Sequence, residues 1–354
     1  MSRIYFLFFI IFSLFSCEKE KTYDIYTRSP FKTVEIVNLL KDSISVRAIA
    51  IDSNKVWYAT NKGTYGYCRL DKPRVLICKI KSKDNTPHFR GISVTRDNVF
   101  LLSTEKPSLI YKVTKKKRVL TKVFQDKGSK AFYNSIQFWN DREGIAMGDP
   151  QDKCLTILIT RDGGETWNKL PCDKLPKIEE GEAAFAASNS NIVIKNNNTW
   201  IVTGGKKSRI FFSEDKGESW EVFNTPITHG KTMTGIYTAD FHDEIIGFVA
   251  GGDYENQKET KNSKAVTINS GKTWANLEDK TNFGYSSCVQ FVPDTGGRLM
   301  VSVGPNGIHF SDSSGFTWIK LHSEKDLYTI RFIDHLSAVA AGKNKIVKLN
   351  FKRD

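Results

Sequence analysis

Apolar and polar residues alternate along most of this chain in short runs bounded by Gly, Asp and Asn, the pattern of half-buried β-strands. Residues 135–139, 144–148 and 154–159 are three such runs, rich in β-branched and apolar side chains. The same cadence returns over 183–188, 200–204 and 209–213, then over 234–241, 246–251 and 263–268, and again over 286–292, 299–303 and 307–311. Weaker versions flank these units: 46–51, 56–60, 64–70 and 74–80 form one, and 91–95, 99–103, 109–114 and 119–124 another. A last unit, 328–333, 338–341 and 345–351, has only three strands, and a strand near 31–39 is left over to complete its sheet.

A turn motif follows the third strand of four of these units. It reads Ser/Thr-x-Asp-x-Gly-x-Ser/Thr-Trp and ends on Trp167, Trp220, Trp274 and Trp318, which are 53, 54 and 44 residues apart. Asp162 and Asp215 hold the acidic position, and Asn269 and Ser313 stand in for it in the later copies. The chemistry suits a tight turn: a short polar side chain accepts backbone N–H bonds, glycine takes a positive φ, and Trp starts the next strand with a large apolar surface. The motif resembles the Asp-box, or bacterial neuraminidase repeat. Its spacing fits one four-stranded blade, so an all-β, seven-bladed β-propeller of four-stranded antiparallel blades is expected. The N-terminal strand would close the ring and leave no open sheet edge.

The unit over 135–149, followed by a strand and the turn motif, resembles the repeat of the photosystem II assembly and stability factor family and its non-photosynthetic bacterial relatives. The resemblance is close over 132–318 and looser elsewhere. It implies a seven-bladed propeller that binds subunits of a membrane protein complex during assembly. Relatives are sometimes labelled oxidoreductases, but no Gly-rich dinucleotide fingerprint, Cys-x-x-Cys pair or clustered histidines support that label, and neither a cofactor nor a metal is assigned.

The chain opens differently. Arg3 precedes an apolar run over 4–15, which has the length of an export signal and falls short of the roughly 20 residues a spanning helix needs. Leu14, Phe15, Ser16 and Cys17 resemble the lipobox of bacterial lipoproteins, which implies cleavage before Cys17 and a lipid on its sulfur. The charged residues 18–21 resemble the export tags of some Bacteroidota lipoproteins. The expected organisation is a signal peptide over 1–16, a lipidated linker over 17–30 and one propeller domain over 31–354, placed on the outer membrane and facing the periplasm or the cell surface.

Charge and cysteines refine this picture. The net charge is +13, with one basic run at 115–118; a solvated lysine-rich surface accounts for it first, and the functional alternative is an acidic partner such as lipid headgroups or lipopolysaccharide phosphates. Nucleic acid is not expected, because of the export signal and the lack of an aromatic-interleaved basic stripe. Of the 6 cysteines, removing Cys17 leaves an odd set. Cys154 and Cys172 lie symmetrically about Gly163, and Cys68 and Cys78 about Pro73, so each pair is expected to face across a hairpin as a disulfide.

In such a ring the Asp-box turns occupy one face, and polar residues on loops of the other are the candidate site. They are Arg90, Asp149, Glu180, Glu182, Lys206, Arg209, His229, Asp253 and Tyr254, with an insertion over 251–260 standing out. Two functions compete. A binding subunit would contact a protein complex or polysaccharide through this ring of loops, and that reading is preferred. A glycoside hydrolase would need two carboxylates across a cleft, which Glu182 with Asp149 or Asp253 could supply. The Phe-Arg-Ile-Pro motif of sialidases has only an imperfect echo in residues 89–92.

Overall fold

The computed structural model describes residues 30–80, 86–104, 106–277 and 283–353. The expected export signal, Cys17 and the expected linker up to residue 29 lie outside the described residues.

Every strand pairing is antiparallel, and the chain forms an all-β propeller. Among the described residues the strands make six sheets, four of four strands and two of six, where seven four-stranded blades were expected. The count differs because one long strand, Thr33–Asp52, serves two neighbours. Its first half pairs with the C-terminal strand Ser337–Lys352, from Thr33 opposite Lys352 to Ser45 opposite Lys343. Its second half, from Val46, pairs with Lys55–Thr60. The first and last sequence units are thereby one hydrogen-bonded sheet.

Burial falls from the axis to the rim. Gly144–Gly148 and Thr156–Thr160 are buried throughout, whereas the outer strand Asn168–Lys169 is exposed. Between neighbouring sheets lie aromatic cores, and the tryptophans of the repeated turns seal them from below. Trp167 meets Phe100 and Phe138, Trp274 meets Phe241, and Trp318 meets Phe248. The turns share one bonding scheme. Asp162 accepts N–H bonds from Glu165 and Thr166 at 3.0 Å each, and Thr160 Oγ1 accepts the Gly164 N–H at 2.9 Å. Asp215 repeats this with Glu218 and Ser219. Asn269 and Ser313 each accept one N–H, from Thr273 and Thr317. Gly164 has φ +78°, and a Cβ there would come within 2.2 Å of the Phe100 ring, so both backbone and packing require glycine.

One expected inner strand is absent as such. Residues 183–188 do not form a strand: only Glu182–Ala183 pairs, with Gly204–Gly205, and regular structure resumes at Ile192–Lys195. The chain between them bonds to inner strands of five different units of the ring. Ala186 O accepts from Arg90 and Ala187 O from Arg47; Ser188 O accepts from Thr329 and Arg331; Ser190 Oγ bonds Thr238. Asn189, at φ +56°, accepts from Ser135 Oγ and Ile136 N–H and donates to Ile92 O. Only a segment lying across the axis can reach all of these, so residues 184–190 plug the central channel. Apart from Phe185, whose ring stacks on Tyr237, their side chains are the small Ala, Ser and Asn that such a crossing has room for.

The structure joins Cys154 to Cys172, with Cα atoms 5.6 Å apart. They flank the hairpin rather than sitting in its strands, since Cys154 precedes Thr156–Thr160 and Cys172 opens a short 3-10 turn. The expected Cys68–Cys78 bridge is not made, and both thiols are free. The hairpin register places Cys68 opposite Val75 and Cys78 opposite Tyr65, so the turn is centred earlier than Pro73 and the two cysteines are out of step.

Candidate functional site

The plug divides the channel into an upper cup and a lower vestibule. The cup lies on the face opposite the repeated turns, has a volume of about 390 Å³ and is floored by Ala184, Phe185, Ala186 and Ala187 of the plug itself. Aromatic rings make its walls. Phe185 stacks on Tyr237 with centroids 3.9 Å apart, and Tyr285 meets both Tyr237 and Tyr254 edge-on at 4.7 and 5.3 Å. Burial pushes the Tyr237 and Tyr285 hydroxyls well above their ordinary value, so they stay protonated as hydrogen-bonding groups. Tyr237 donates to Met233 O at 2.9 Å, which fixes its ring.

Three polar side chains border these rings. Arg47 reaches Ala187 O at 3.4 Å and lies 4.1 Å above the Tyr328 ring. Arg90 donates to Ala186 O at 2.8 Å and to His88 at 3.0 Å. Asp149 accepts from Asn134 at 2.8 Å and from the Ala184 N–H at 3.2 Å. Burial raises its carboxyl above the usual range, and those two bonds offset this only in part. All three therefore hold the plug while facing the cup.

The candidates from sequence separate into groups. Arg90, Asp149 and Tyr254 come together in the cup. Asp253 lies next to Tyr254 and pairs with Lys231 at 3.2 Å; burial raises its pKa, but N–H bonds from Glu255 and Asn256 and the lysine outweigh burial and hold it below the ordinary value. Glu182 and Arg209 do not face the cup. They form a buried ion pair at 2.5 Å, and Glu182 also accepts from Thr203 Oγ1 at 2.6 Å and from the Glu179 N–H at 2.9 Å. A carboxylate enclosed in this way is a structural pin and is unavailable to a sugar. Glu180 and Lys206 form an exposed pair at 3.6 Å, and His229 bonds Ile227 O at 2.9 Å.

Sequence reading missed Arg47, Phe132, Phe185, Tyr237 and Tyr285 as cup residues. A usable signal was present for Arg47: an arginine interrupts an apolar inner strand there, as Arg90 and Arg331 do in theirs. The vestibule on the other side of the plug comprises two cavities of about 470 and 440 Å³ that share Asp240, Gln290 and Arg331. Arg331 is committed to the Ser188 and Asn189 carbonyls of the plug, at 3.1 and 3.2 Å. Among the described residues no three His, Cys, Asp or Glu side chains are placed to hold a metal ion.

No protein-family model matches this chain, and no curated protein matches it. Solved structures do. YCF48 bound to D1 peptide matches with a TM-score of 0.65 at 13% identity, covering 92% of this chain and 100% of that one. YCF48 from Cyanidioschyzon merolae matches with a TM-score of 0.62 at 15% identity, over 90% of this chain and 98% of that one. A streptogramin B lyase structure matches with a TM-score of 0.67 at 15% identity, over 92% and 100%. At these identities the likeness establishes the β-propeller fold and nothing finer.

Proposed function

We propose that this protein is a lipid-anchored, exported binding subunit that seats a protruding segment of a partner polypeptide in the upper cup. The observation that carries the reading is the blind, aromatic-walled cup: because the plug closes the channel, a ligand cannot thread through and must insert an end or a side chain. Rigid aromatic walls offer a large apolar contact at low entropic cost, and Arg47 and Arg90 beside them favour a carboxylate on the inserted segment. A propeller of this shape binds a peptide in one of the matched structures, YCF48 bound to D1 peptide. Assembly or accessory work on an outer-membrane complex is the cellular role this reading favours. We read the pairing of Thr33–Asp52 with the C-terminal strand as the clasp that closes the ring.

A second reading, glycan binding, draws on the same walls together with the burial-raised carboxyl of Asp149. It leaves hydrolysis without a second carboxylate from Glu182. Fluorescence anisotropy against a peptide array and a glycan panel separates the two. Acidic–aromatic peptides should bind, with Tyr254→Ala and Arg47→Ala each weakening them about tenfold, near the 1.4 kcal/mol such contacts are worth. Binding to glycans alone, lost in the same variants, would overturn the peptide reading.

A further inference from the structure

We infer that the face carrying the repeated turns lies against an anionic lipid bilayer, holding the cup away from the membrane; this rests on the anchored reading given above. In each up-and-down unit the first-to-second and third-to-fourth connections emerge at one end, and three observations single out that end.

The chain enters there. Thr33 pairs with Lys352, and the Phe31 ring packs 4.8 Å from Phe310, whose strand Gly307–Ser311 runs straight into the turn bearing Phe316. The 29 residues before Pro30, with their apolar run over 4–15, therefore join the propeller beside that turn. Fully extended, residues 18–29 reach about 40 Å, so the tether alone leaves the orientation open.

The apolar tips decide it. Val119, Ile245, Ile268, Phe316 and Leu336 are 51, 54, 75, 57 and 38% exposed, and each sits in a connection at this end. Of the other exposed large hydrophobics among the described residues, Val37, Ile77 and Ile319 lie within outer strands on the rim, and Tyr254 alone lies in a connection at the opposite end, where its ring belongs to the cup. The tips are spread over several units rather than merged into one patch. A deformable lipid interface accepts separate protruding side chains, whereas a protein partner needs a contiguous complementary surface.

One of these turns, alone among connections that elsewhere mix acidic and basic residues, also carries a cluster of cations. Val119 follows the run at 115–118 in one turn, where Lys116, Lys117 and Arg118 are exposed. Lys115 pairs with Asp52 at 2.9 Å, and no ion pair holds the other three among the described residues. An apolar tip flanked by unpaired cations suits the boundary between acyl chains and anionic headgroups.

The test uses the full lipidated chain in vesicles with brominated acyl chains, made either of phosphatidylethanolamine with phosphatidylglycerol or of phosphatidylcholine. Flotation reads the anchor, and quenching of an added tryptophan reads the face. In the anionic vesicles Phe316→Trp and Ile268→Trp should be quenched at least twofold more than Thr232→Trp on the cup face, and Lys116→Ala with Lys117→Ala should reduce that difference. Flotation with equal quenching at all three positions overturns the orientation and leaves the anchor standing. Failure to float removes the anchor, and the face proposal then falls too unless Phe316→Trp is still quenched by added vesicles. A dimeric mass in detergent that Ile268→Glu with Phe316→Glu returns to monomer would assign the face to self-association instead. Unchanged melting temperatures in the tryptophan variants show that the fold is intact.

Discussion

Glu182 and Arg209 show how burial decides what a charged residue can do. Both are enclosed, and the pair survives only because Thr203, the Glu179 N–H and the Lys177 carbonyl complete its hydrogen bonds. Breaking one side leaves an uncompensated buried charge, so Glu182→Ala should cost about 3–5 kcal/mol in a urea unfolding curve. A loss under 1 kcal/mol would mean that the carboxylate is not pinned. His309 makes a second residue-scale prediction. Its ring stacks on Phe283 at 3.8 Å, and burial, then Lys264 and Lys320, lower its pKa to about 4. The folded value lies below the unfolded one, so between pH 6.5 and about 4 the unfolded chain binds the extra proton and stability falls as pH falls. His309→Gln should remove up to about 3 kcal/mol of that acid sensitivity, read as a flatter plot of unfolding midpoint against pH.

At the scale of elements, the repeated turns were legible because their chemistry is local: one side-chain acceptor, one glycine at positive φ and one tryptophan lie within eight residues. The plug was not. A run of Ala, Phe, Ser and Asn after a glycine looks like a weak strand, and only the arginines, hydroxyls and amides of distant inner strands draw it across the axis. The hairpin cysteines divide in the same way. Symmetry about a turn located Cys154 and Cys172 well enough, but for Cys68 and Cys78 the true turn centre shifted the register, and a cross-strand bond depends on register. Alkylation of the denatured, unreduced protein, mapped by peptide mass, should label Cys68, Cys78 and Cys288 and should reach Cys154 and Cys172 only after reduction. Cys172→Ser should lower stability by about 3 kcal/mol, the loop entropy released by an 18-residue separation.

For the whole molecule, alternation along the chain made the propeller readable, while the sheet count was not, because strand length alone does not say where one sheet hands over to the next. The joint between the chain ends carries its own prediction. Phe31 is buried between Phe310 and Phe351, so Phe31→Ala should cost about 3–5 kcal/mol if the N-terminal strand holds the ring together, and little if it is an appendage. The cup depends on the same integrity, since its floor is bonded to inner strands from both ends of the chain. Whether the cup seats a polypeptide segment is read by site-specific photocrosslinking from Met233, on its wall, in intact cells. One dominant adduct with a polypeptide is expected, lost when Tyr254→Ala is added and absent when the crosslinker is moved to Lys216 on the turn face. Adducts with lipid or glycan alone, or equal polypeptide adducts from both faces, would contradict it.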